Sequence, residues 1–264
     1  MLISSTQNPR IKHLMALQQK SAERRKAHLF VVEGRRELEH CLEAGLTVSC
    51  IYHCPEISGL SSPVPSSENG GSAPQVLTVT PQVYEKIAYR GTTEGIVAEV
   101  EERPLSLAGL RLPESPLVVV LERVEKPGNL GAVLRSADAA KVDAVVVCDP
   151  LTDLYNPNLI RASLGAIFTV PTIACTSEAC IRFLKERGIA ILTAQLQDSH
   201  LYYDTDMKRG TAIVMGTEST GLSQIWRDAA DAHIRIPMLG RLDSLNVSVS
   251  AAILMFEAVR QRSL

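Results

Sequence analysis

The sequence predicts an α/β protein with two domains, and three observations lead to this prediction. The chain has 264 residues, more than the roughly 100 to 200 residues of a typical domain. Short apolar runs alternate with helical segments along most of it, as in sheets that are covered by helices. Two stretches, 55–74 and 101–116, are rich in residues that favour turns and loops. We therefore predict a small domain over 1–100, a linker over 101–116 and a larger domain over 117–264.

The first domain is predicted to be a small α/β unit. An apolar stripe that includes Ile11 and Leu14 predicts a helix over 9–19. A helix over 35–44 ends at Gly45, a residue that commonly terminates helices. Apolar runs predict four strands, and one further helix precedes the last of them: strands 29–33, 48–53, 76–79 and 96–100, and helix 82–88.

The second domain is predicted to contain a parallel sheet, because its strands read as continuous apolar runs. A helix over 178–187 has Thr176 and Ser177 as candidate caps and stops at Gly188. A long apolar helix ends near Gln261. The predicted strands are 117–121, 144–148, 172–174, 189–193, 211–215 and 232–236.

Composition excludes several classes of protein. Hydrophobic residues make up 45% and charged residues 21%, which is typical of globular domains and not of disordered chains. No run approaches the ~18 apolar residues of a membrane span, and no signal peptide is recognised, so we expect a cytoplasmic protein without a membrane partner. The six cysteines form no C-x-x-C pair. Cys50, His53 and Cys54 lack a second ligand cluster, so no metal is predicted.

Charge is distributed unevenly along the chain. The net charge is −2, but residues 1–36 carry eight basic and two acidic side chains. Such a cluster serves either as an electrostatic footprint for nucleic-acid phosphates or as a solvated helix face, and charge alone favours the second interpretation. The candidate RNA-binding residues within it are Arg24, Arg25, Lys26, Arg35 and Arg36.

Ligands of open parallel sheets bind beyond the carboxyl ends of the strands, and the first unusual loop there is Pro-Gly-Asn-Leu-Gly at 127–131. Asn129 is predicted to be the N-cap of the helix that follows. Arg135 lies among apolar residues of that helix, so we expect it to be buried. A buried guanidinium requires an anionic partner.

Two further loops contain polar groups that suit a ligand. The loop Gly-Thr-Glu-Ser-Thr-Gly at 216–221 directly follows a strand, and its glycines let backbone donors face a ligand. Neither G-x-G-x-x-G nor G-x-x-x-x-G-K-[ST] is present at the expected place. The third stretch is Ile-Pro-Met-Leu-Gly at 236–240, followed by Ser-Leu-Asn-Val-Ser at 244–248. Its polar residues suit a helix N-terminus, which favours anionic groups.

Together the three loops resemble the SpoU branch of the SPOUT methyltransferases. The matching motifs are N-x-G-x-x-x-R at 129–135, G-x-E-x-x-G at 216–221, and I-P-M at 236–238 with S-L-N-V-S at 244–248. The resemblance covers 117–262, and 161–166 is also similar to the family. The front segment, with Ser5, Asn8 and 32–34, resembles a small substrate-binding domain of many members. Lys126 and Ser250 depart from the family pattern, and the change at Lys126 leaves the exact substrate open.

The resemblance implies a trefoil-knotted, parallel-sheet SPOUT domain with a smaller N-terminal α/β substrate-binding domain. It implies a homodimer whose partner subunit helps to complete the active site. Arg135 is implied as the catalytic residue, either orienting the target phosphate or accepting the hydroxyl proton; Asn129, Glu218, Ser244 and Asn246 would hold the ribose and the loops. S-adenosyl-L-methionine would bind at Ala194, Gln195, Leu196, Gly216, Thr217, Glu218, Gly221, Ile236, Pro237, Met238 and Leu245.

The function implied by the resemblance is methyl transfer from S-adenosylmethionine to a ribose 2′-hydroxyl of structured RNA. Ribosomal RNA is favoured over tRNA because the additional N-terminal domain is typical of members that act on ribosomal RNA. The alternatives are a tRNA 2′-O-methyltransferase and a noncatalytic RNA-binding or ribosome-assembly protein. A tRNA base methyltransferase fits poorly, because the motif that contains Arg135 belongs to the ribose-modifying branch.

Overall fold

The computed structural model describes residues 1–63, 73–89, 94–217 and 220–263. The chain divides into two compact units. Unit 1 consists of Met1–Arg103 and Asp153–Phe168, and unit 2 consists of Pro104–Thr152 and Thr169–Leu264. The excursion over 153–168 was not part of the domain limits expected from the sequence, and those limits stay a prediction.

Unit 1 is built on a mixed five-stranded sheet with the strand order β1-β4-β3-β5-β2. Strand β4 pairs in parallel with β1 and β3, whereas β5 pairs antiparallel with β2 and β3. The elements, in chain order and including two helices of the excursion, are β1 (Leu2–Ile3), α1 (Pro9–Gln19), α2 (Ser21–Ala27), β2 (Leu29–Glu33), α3 (Arg35–Glu43), β3 (Val48–His53), α4 (Pro55–Ser58), β4 (Gln75–Val79), α5 (Pro81–Ile87), β5 (Ile96–Glu101), α7 (Pro157–Ser163) and α8 (Ala166–Thr169).

Helix α1 illustrates how local sequence determines structure in unit 1. The Asn8 side chain accepts a hydrogen bond from the Arg10 amide at 2.9 Å, and Pro9 occupies the first helical position. Ile11, Leu14 and other apolar residues of the predicted stripe are fully buried in the core of the unit. The predicted helix over 9–19 is therefore confirmed.

Unit 2 contains a seven-stranded sheet with the order β10-β12-β9-β11-β6-β7-β8, and all of its pairings are parallel. The carboxyl ends of its strands therefore share one edge. Its elements are β6 (Leu117–Glu122), α6 (Pro127–Ala139), β7 (Ala144–Cys148), β8 (Thr172–Cys175), α9 (Ser177–Glu186), β9 (Ala190–Ala194), β10 (His200–Leu201), β11 (Thr211–Met215), α10 (Gln224–Ala229), β12 (Ala232–Arg235) and α11 (Val247–Arg262), with 3-10 turns at Leu107–Gly109 and Tyr202–Asp204.

The buried strands of unit 2 confirm the prediction of a parallel sheet. Every residue of β6, β7 and β11 is buried, as expected for strands that are covered on both faces. Thr176 is the N-cap of α9, where its hydroxyl accepts a hydrogen bond from the Ala179 amide at 3.2 Å. The longest described helix, α11, has 16 residues, and no helix in the described part of the chain has the length and apolar character of a membrane span.

Candidate cofactor and RNA-binding site

A cavity of about 470 Å³ lies at the carboxyl ends of β9, β11 and β12 in unit 2. Parallel pairing brings these three strand ends together although their loops are distant in sequence. The lining includes nine of the eleven residues that were predicted to bind the cofactor: Ala194, Gln195, Leu196, Gly216, Thr217, Gly221, Ile236, Met238 and Leu245.

The two remaining predicted cofactor residues are not in this lining. Pro237 lines a neighbouring depression together with Leu196 and Met238. Glu218, which was predicted both to bind the cofactor and to support catalysis, lies outside the described residues. The geometry therefore assembles most of the predicted pocket.

The loop after β11 requires glycine at both of its ends. A Cβ atom on Gly216 would lie 2.3 Å from the backbone carbon and oxygen of Gly221, and Gly221 itself has φ of +67°. The amides of Thr217 and Gly221 donate to each other's carbonyl oxygens at 3.2 and 3.1 Å. The Thr217 hydroxyl also accepts a hydrogen bond from the Thr220 amide at 3.1 Å. The two ends of the loop are thus joined by backbone hydrogen bonds, and Gly216, Thr217, Thr220 and Gly221 line the cavity.

Buried Glu122, which the sequence analysis did not single out, fixes the far end of this loop. Its carboxylate at the end of β6 accepts hydrogen bonds from the amide and the hydroxyl of Ser223. The amide nitrogen of Ser223 lies 2.8 Å from the carboxylate oxygen. Ser223 directly precedes α10. The signal available in the sequence was one acidic residue at the end of an otherwise apolar strand.

The first and third motifs meet through two asparagines. Asn246 donates a hydrogen bond from Nδ2 to Oδ1 of Asn129 at 3.2 Å, and it caps α11 by accepting from the Ser248 amide at 3.0 Å. The prediction that Asn129 caps α6 is wrong. Lys126 occupies the cap position, because Pro127 takes the first helical position and places Asn129 inside the first turn.

A smaller cavity of about 120 Å³ adjoins the loop after β11. Its lining includes Asn129 and Lys126 on one side and Gly216 and Thr217 on the other. Because Gly216 and Thr217 also line the larger cavity, the amide side chain of Asn129 lies next to the predicted cofactor pocket. Ser244 lines the larger cavity and is exposed.

The prediction that Arg135 is buried is wrong, because its side chain is exposed. The buried face of α6 is formed by small and aliphatic residues such as Leu130, Val133, Leu134 and Ala137, and Arg135 projects from another face. Within the described part of the chain, its guanidinium has no ion pair with an acidic side chain. The argument from burial therefore fails, but the charge is accessible to an external anion.

The five basic residues predicted to bind RNA fall into two groups. Arg25, Lys26, Arg35 and Arg36 are exposed, and Arg35 pairs with Glu39 one helical turn further on at 2.7 Å. Arg24, by contrast, is buried.

The guanidinium of Arg24 is fully engaged inside unit 1. It bonds the carboxylate of Asp153 through Nη2 at 2.6 Å and through Nε at 2.7 Å, and it donates from Nη1 to the Leu17 carbonyl at 2.5 Å. The expectation that Arg24 contacts phosphate is corrected accordingly: its charge is neutralised by Asp153 within unit 1, which is a structural role.

The parallel α/β fold and the cavity at its strand ends fit the SpoU-type methyltransferases that the three motifs predicted. Comparison of the chain with protein-family models gives the same class. Residues 116–256 match the model of the SpoU rRNA Methylase family, and residues 8–98 match the MRM3-like substrate binding domain. Since the first match alone covers more than half of the chain, the chain belongs to the SpoU rRNA methylase family. The family predicted from the three loops is thereby confirmed.

Two relatives within this family have a named activity. The chain is 41% identical over 179 residues to the 23S rRNA (guanosine-2′-O-)-methyltransferase RlmB of Bordetella pertussis, covering 66% of this chain and 73% of that protein. It is 39% identical over 179 residues to the protein of the same name from Escherichia coli, covering 64% of this chain and 72% of the relative.

Solved structures show the same similarity over the whole chain. An RNA 2′-O ribose methyltransferase superposes with a TM-score of 0.84 at 37% identity, covering 100% of both chains. An AdoMet-bound rRNA methyltransferase from Sinorhizobium meliloti has a TM-score of 0.88 at 29% identity, covering 98% of this chain and 97% of that one. The predicted α/β fold and the cofactor, S-adenosylmethionine, are confirmed, whereas the trefoil knot stays a prediction.

Proposed function

We propose that this protein transfers the methyl group of S-adenosylmethionine to a ribose 2′-hydroxyl of ribosomal RNA, and specifically to a guanosine of 23S ribosomal RNA. The observation that carries the proposal is the cavity of unit 2, where the second and third motif loops form the lining and the first motif lies alongside. The relatives with about 40% identity bear the name of that activity. Ribosomal RNA as substrate also supports a cytoplasmic location.

The residues of the cavity fit S-adenosylmethionine. Its volume of about 470 Å³ is within the range of pockets that enclose small ligands. Ile236, Met238 and Leu245 supply apolar walls for the adenine, and Gly216 and Gly221 at the two ends of the loop after β11 line the same cavity. The cofactor supplies an electrophilic methyl group on its sulfonium, and the protein contributes binding and orientation.

We assign Arg135 to orientation of the RNA at this cavity. A guanidinium is a poor base, but it holds a phosphate in a fixed two-point geometry and stabilises negative charge that develops on an attacking oxygen. Its exposure and the lack of an acidic partner among the described residues support a role toward an external anion. Asn129 and Asn246 would hold the ribose beside the cofactor loop, with Ser244 at the rim.

We further propose that the protein acts as a homodimer through α11. This helix exposes Val249 and Phe256, which are two helical turns apart, with 47% and 49% of their surface accessible. Partly buried Ala252 and Ile253 lie between them. An apolar stripe of this kind suits a helix–helix interface. Phe256→Asp should convert a dimer to a monomer in analytical ultracentrifugation, and a wild-type protein that is monomeric at assay concentration would contradict the proposal.

The proposed activity is tested by assaying methyl transfer to defined RNAs. Purified protein, radiolabelled S-adenosylmethionine and unmodified 23S ribosomal RNA should give one labelled ribose, and the modified nucleotide should be a guanosine. Transfer RNA is the matched control and should remain unlabelled. Labelling of tRNA alone would contradict the substrate assignment, and binding of ribosomal RNA without any methyl transfer would support the noncatalytic alternative instead.

A further inference from the structure

Three of the six cysteines come together in unit 2, away from the residues that line the cofactor cavity. Cys148 ends β7, Cys175 ends β8, and Cys180 lies in the second turn of α9. The parallel register pairs Cys148 directly with Cys175. The three sulfur atoms all lie within 4.8 Å of one another, although their spacing in sequence matches no common metal-binding motif.

The polypeptide around these sulfurs is held by several hydrogen bonds. The Asp149 amide donates to the Cys175 carbonyl at 2.9 Å, and the Ser177 hydroxyl donates to the Asp149 carboxylate at 2.6 Å. The indole of Trp226 donates to the same Ser177 hydroxyl oxygen at 3.0 Å. The strand ends and the start of α9 are therefore fixed before any ligand arrives, which is the support that metal sites require.

The three cysteines of the cluster differ in burial. Cys148 and Cys180 are fully buried, whereas Cys175 at the end of β8 is half-buried. An ion would therefore reach the cluster from the side of Cys175.

We propose that Cys148, Cys175 and Cys180 bind one thiophilic metal ion with a filled d shell, Zn²⁺ or Cu⁺. Soft thiolate ligands select these two ions. A zinc–sulfur bond of about 2.3 Å places two sulfurs of a tetrahedral site about 3.8 Å apart, so sulfurs within 4.8 Å need to move by about 1 Å or less. A water molecule would be the fourth ligand of Zn²⁺. The ion would displace the thiol protons to solvent and cross-link β7, β8 and α9.

The experiment measures metal binding to the full-length protein without RNA or S-adenosylmethionine, so its outcome is independent of the proposed methyl transfer. Protein kept reduced and stripped with a chelator is titrated with Zn²⁺, and separately with Cu⁺, in competition with a chromophoric chelator. One equivalent of at least one ion should bind. Replacement of bound Zn²⁺ by Co²⁺ should produce thiolate-to-metal charge-transfer absorption.

Two cysteine variants separate the cluster from thiols in general. Cys175→Ser should weaken binding by more than about tenfold, since removing a ligand exceeds the effect of removing a supporting residue. Cys54→Ala, at a buried free cysteine of unit 1, should bind one equivalent like the wild type. Circular dichroism establishes that each variant is folded. Failure of the wild type to retain either ion against the chelator, or unchanged binding by folded Cys175→Ser, would overturn the proposal and identify the three thiols as core packing.

Discussion

Helices α2 and α6 each carry an arginine whose environment is the reverse of the one that the sequence indicated. Arg24 on α2 was expected at the surface, but it is buried and bonded to Asp153. Arg135 on α6 was expected in the core, but it is exposed. The environment of Arg24 depends on a carboxylate 129 residues further along the chain, which no local pattern reveals. A cluster of charges or apolar neighbours in sequence therefore does not establish which way a side chain faces.

The two arginines differ in role: Arg24 is structural, and Arg135 is proposed to bind RNA. Arg24 stabilises unit 1 because both ends of its ion pair are largely removed from water, with 5% and 17% of the two side chains exposed. Arg135 is exposed and has no ion pair within the described part of unit 2, and the role that we propose for it is to bind an RNA phosphate. The following experiments compare residues of the two kinds, starting with the largest expected effect.

Arg24→Met tests whether the buried ion pair stabilises unit 1. Removing one partner of a buried pair leaves the other charge uncompensated and typically costs about 3–5 kcal/mol, so the free energy of unfolding should fall by about 3 kcal/mol or more. Arg25→Met is the matched control, because Arg25 is adjacent and exposed, and it should change stability by less than ~0.5 kcal/mol. Equal destabilisation in urea unfolding would show that Arg24 is not the special member of the cluster.

Gly221→Val tests whether the loop after β11 binds the cofactor. Valine at φ of +67° distorts the loop at a cost of about 1–3 kcal/mol, so affinity for S-adenosylmethionine should fall about tenfold or more. Gly188→Val imposes the same strain at φ of +63°, in a position with open space around it and outside the cavity lining. Calorimetry should find normal affinity for this control; equal losses in both variants would attribute the effect to general destabilisation.

The exposed basic residues of unit 1 are tested together by replacing Arg25, Lys26 and Arg36 with Gln. Each phosphate contact that is lost should reduce the slope of log affinity against log salt by roughly 0.7–0.9. RNA affinity at low salt should therefore fall, and it should converge with that of the wild type as salt rises. An unchanged slope in filter-binding titrations would identify these side chains as a solvated face.

The smallest expected effect is on the pH dependence of stability, and it concerns buried Glu99 of unit 1. Burial raises the pKa of its carboxyl, and Tyr52 donates a hydrogen bond to it at 3.0 Å. Because the folded pKa exceeds the unfolded value, the contribution of Glu99 to stability is greatest below the ordinary glutamate pKa of 4.5 and is lost as pH rises through the folded pKa. Glu99→Gln should remove this component from the pH dependence of the thermal midpoint. An identical pH profile in the variant would contradict the assignment.

Much of the fold could be predicted because local patterns determine it. Strands such as β2 and β3 have the predicted limits, since their apolar runs are bounded by turn residues. Most residues that the second and third motifs supplied for the predicted cofactor pocket line one cavity, because strand ends of a parallel sheet share an edge. Features that depend on contacts distant in sequence escaped prediction, namely the 153–168 excursion, the role of Glu122 and the clustering of Cys148, Cys175 and Cys180.

Local competition explains the error at the start of α6. Asn129 is a good capping residue, but Pro127 is pre-organised for the first helical position and moves the helix start two residues earlier. The side chain of Asn129 instead accepts the hydrogen bond from Asn246 that joins the first and third motifs. Asn129 therefore connects two motifs of the candidate site, although its residue type also suits a helix cap.

The most direct test of the account is the single-turnover rate of methyl transfer by Arg135→Lys on 23S ribosomal RNA. Lysine keeps the charge but lacks the planar fork of the guanidinium, and misplacement by about 1 Å can cost ~100-fold in rate. We expect a fall of roughly that size with unchanged affinity for S-adenosylmethionine. Arg182→Lys, at an exposed arginine of α9, should react at the wild-type rate. A wild-type rate in folded, dimeric Arg135→Lys would contradict the account and make Arg135 an ordinary surface residue.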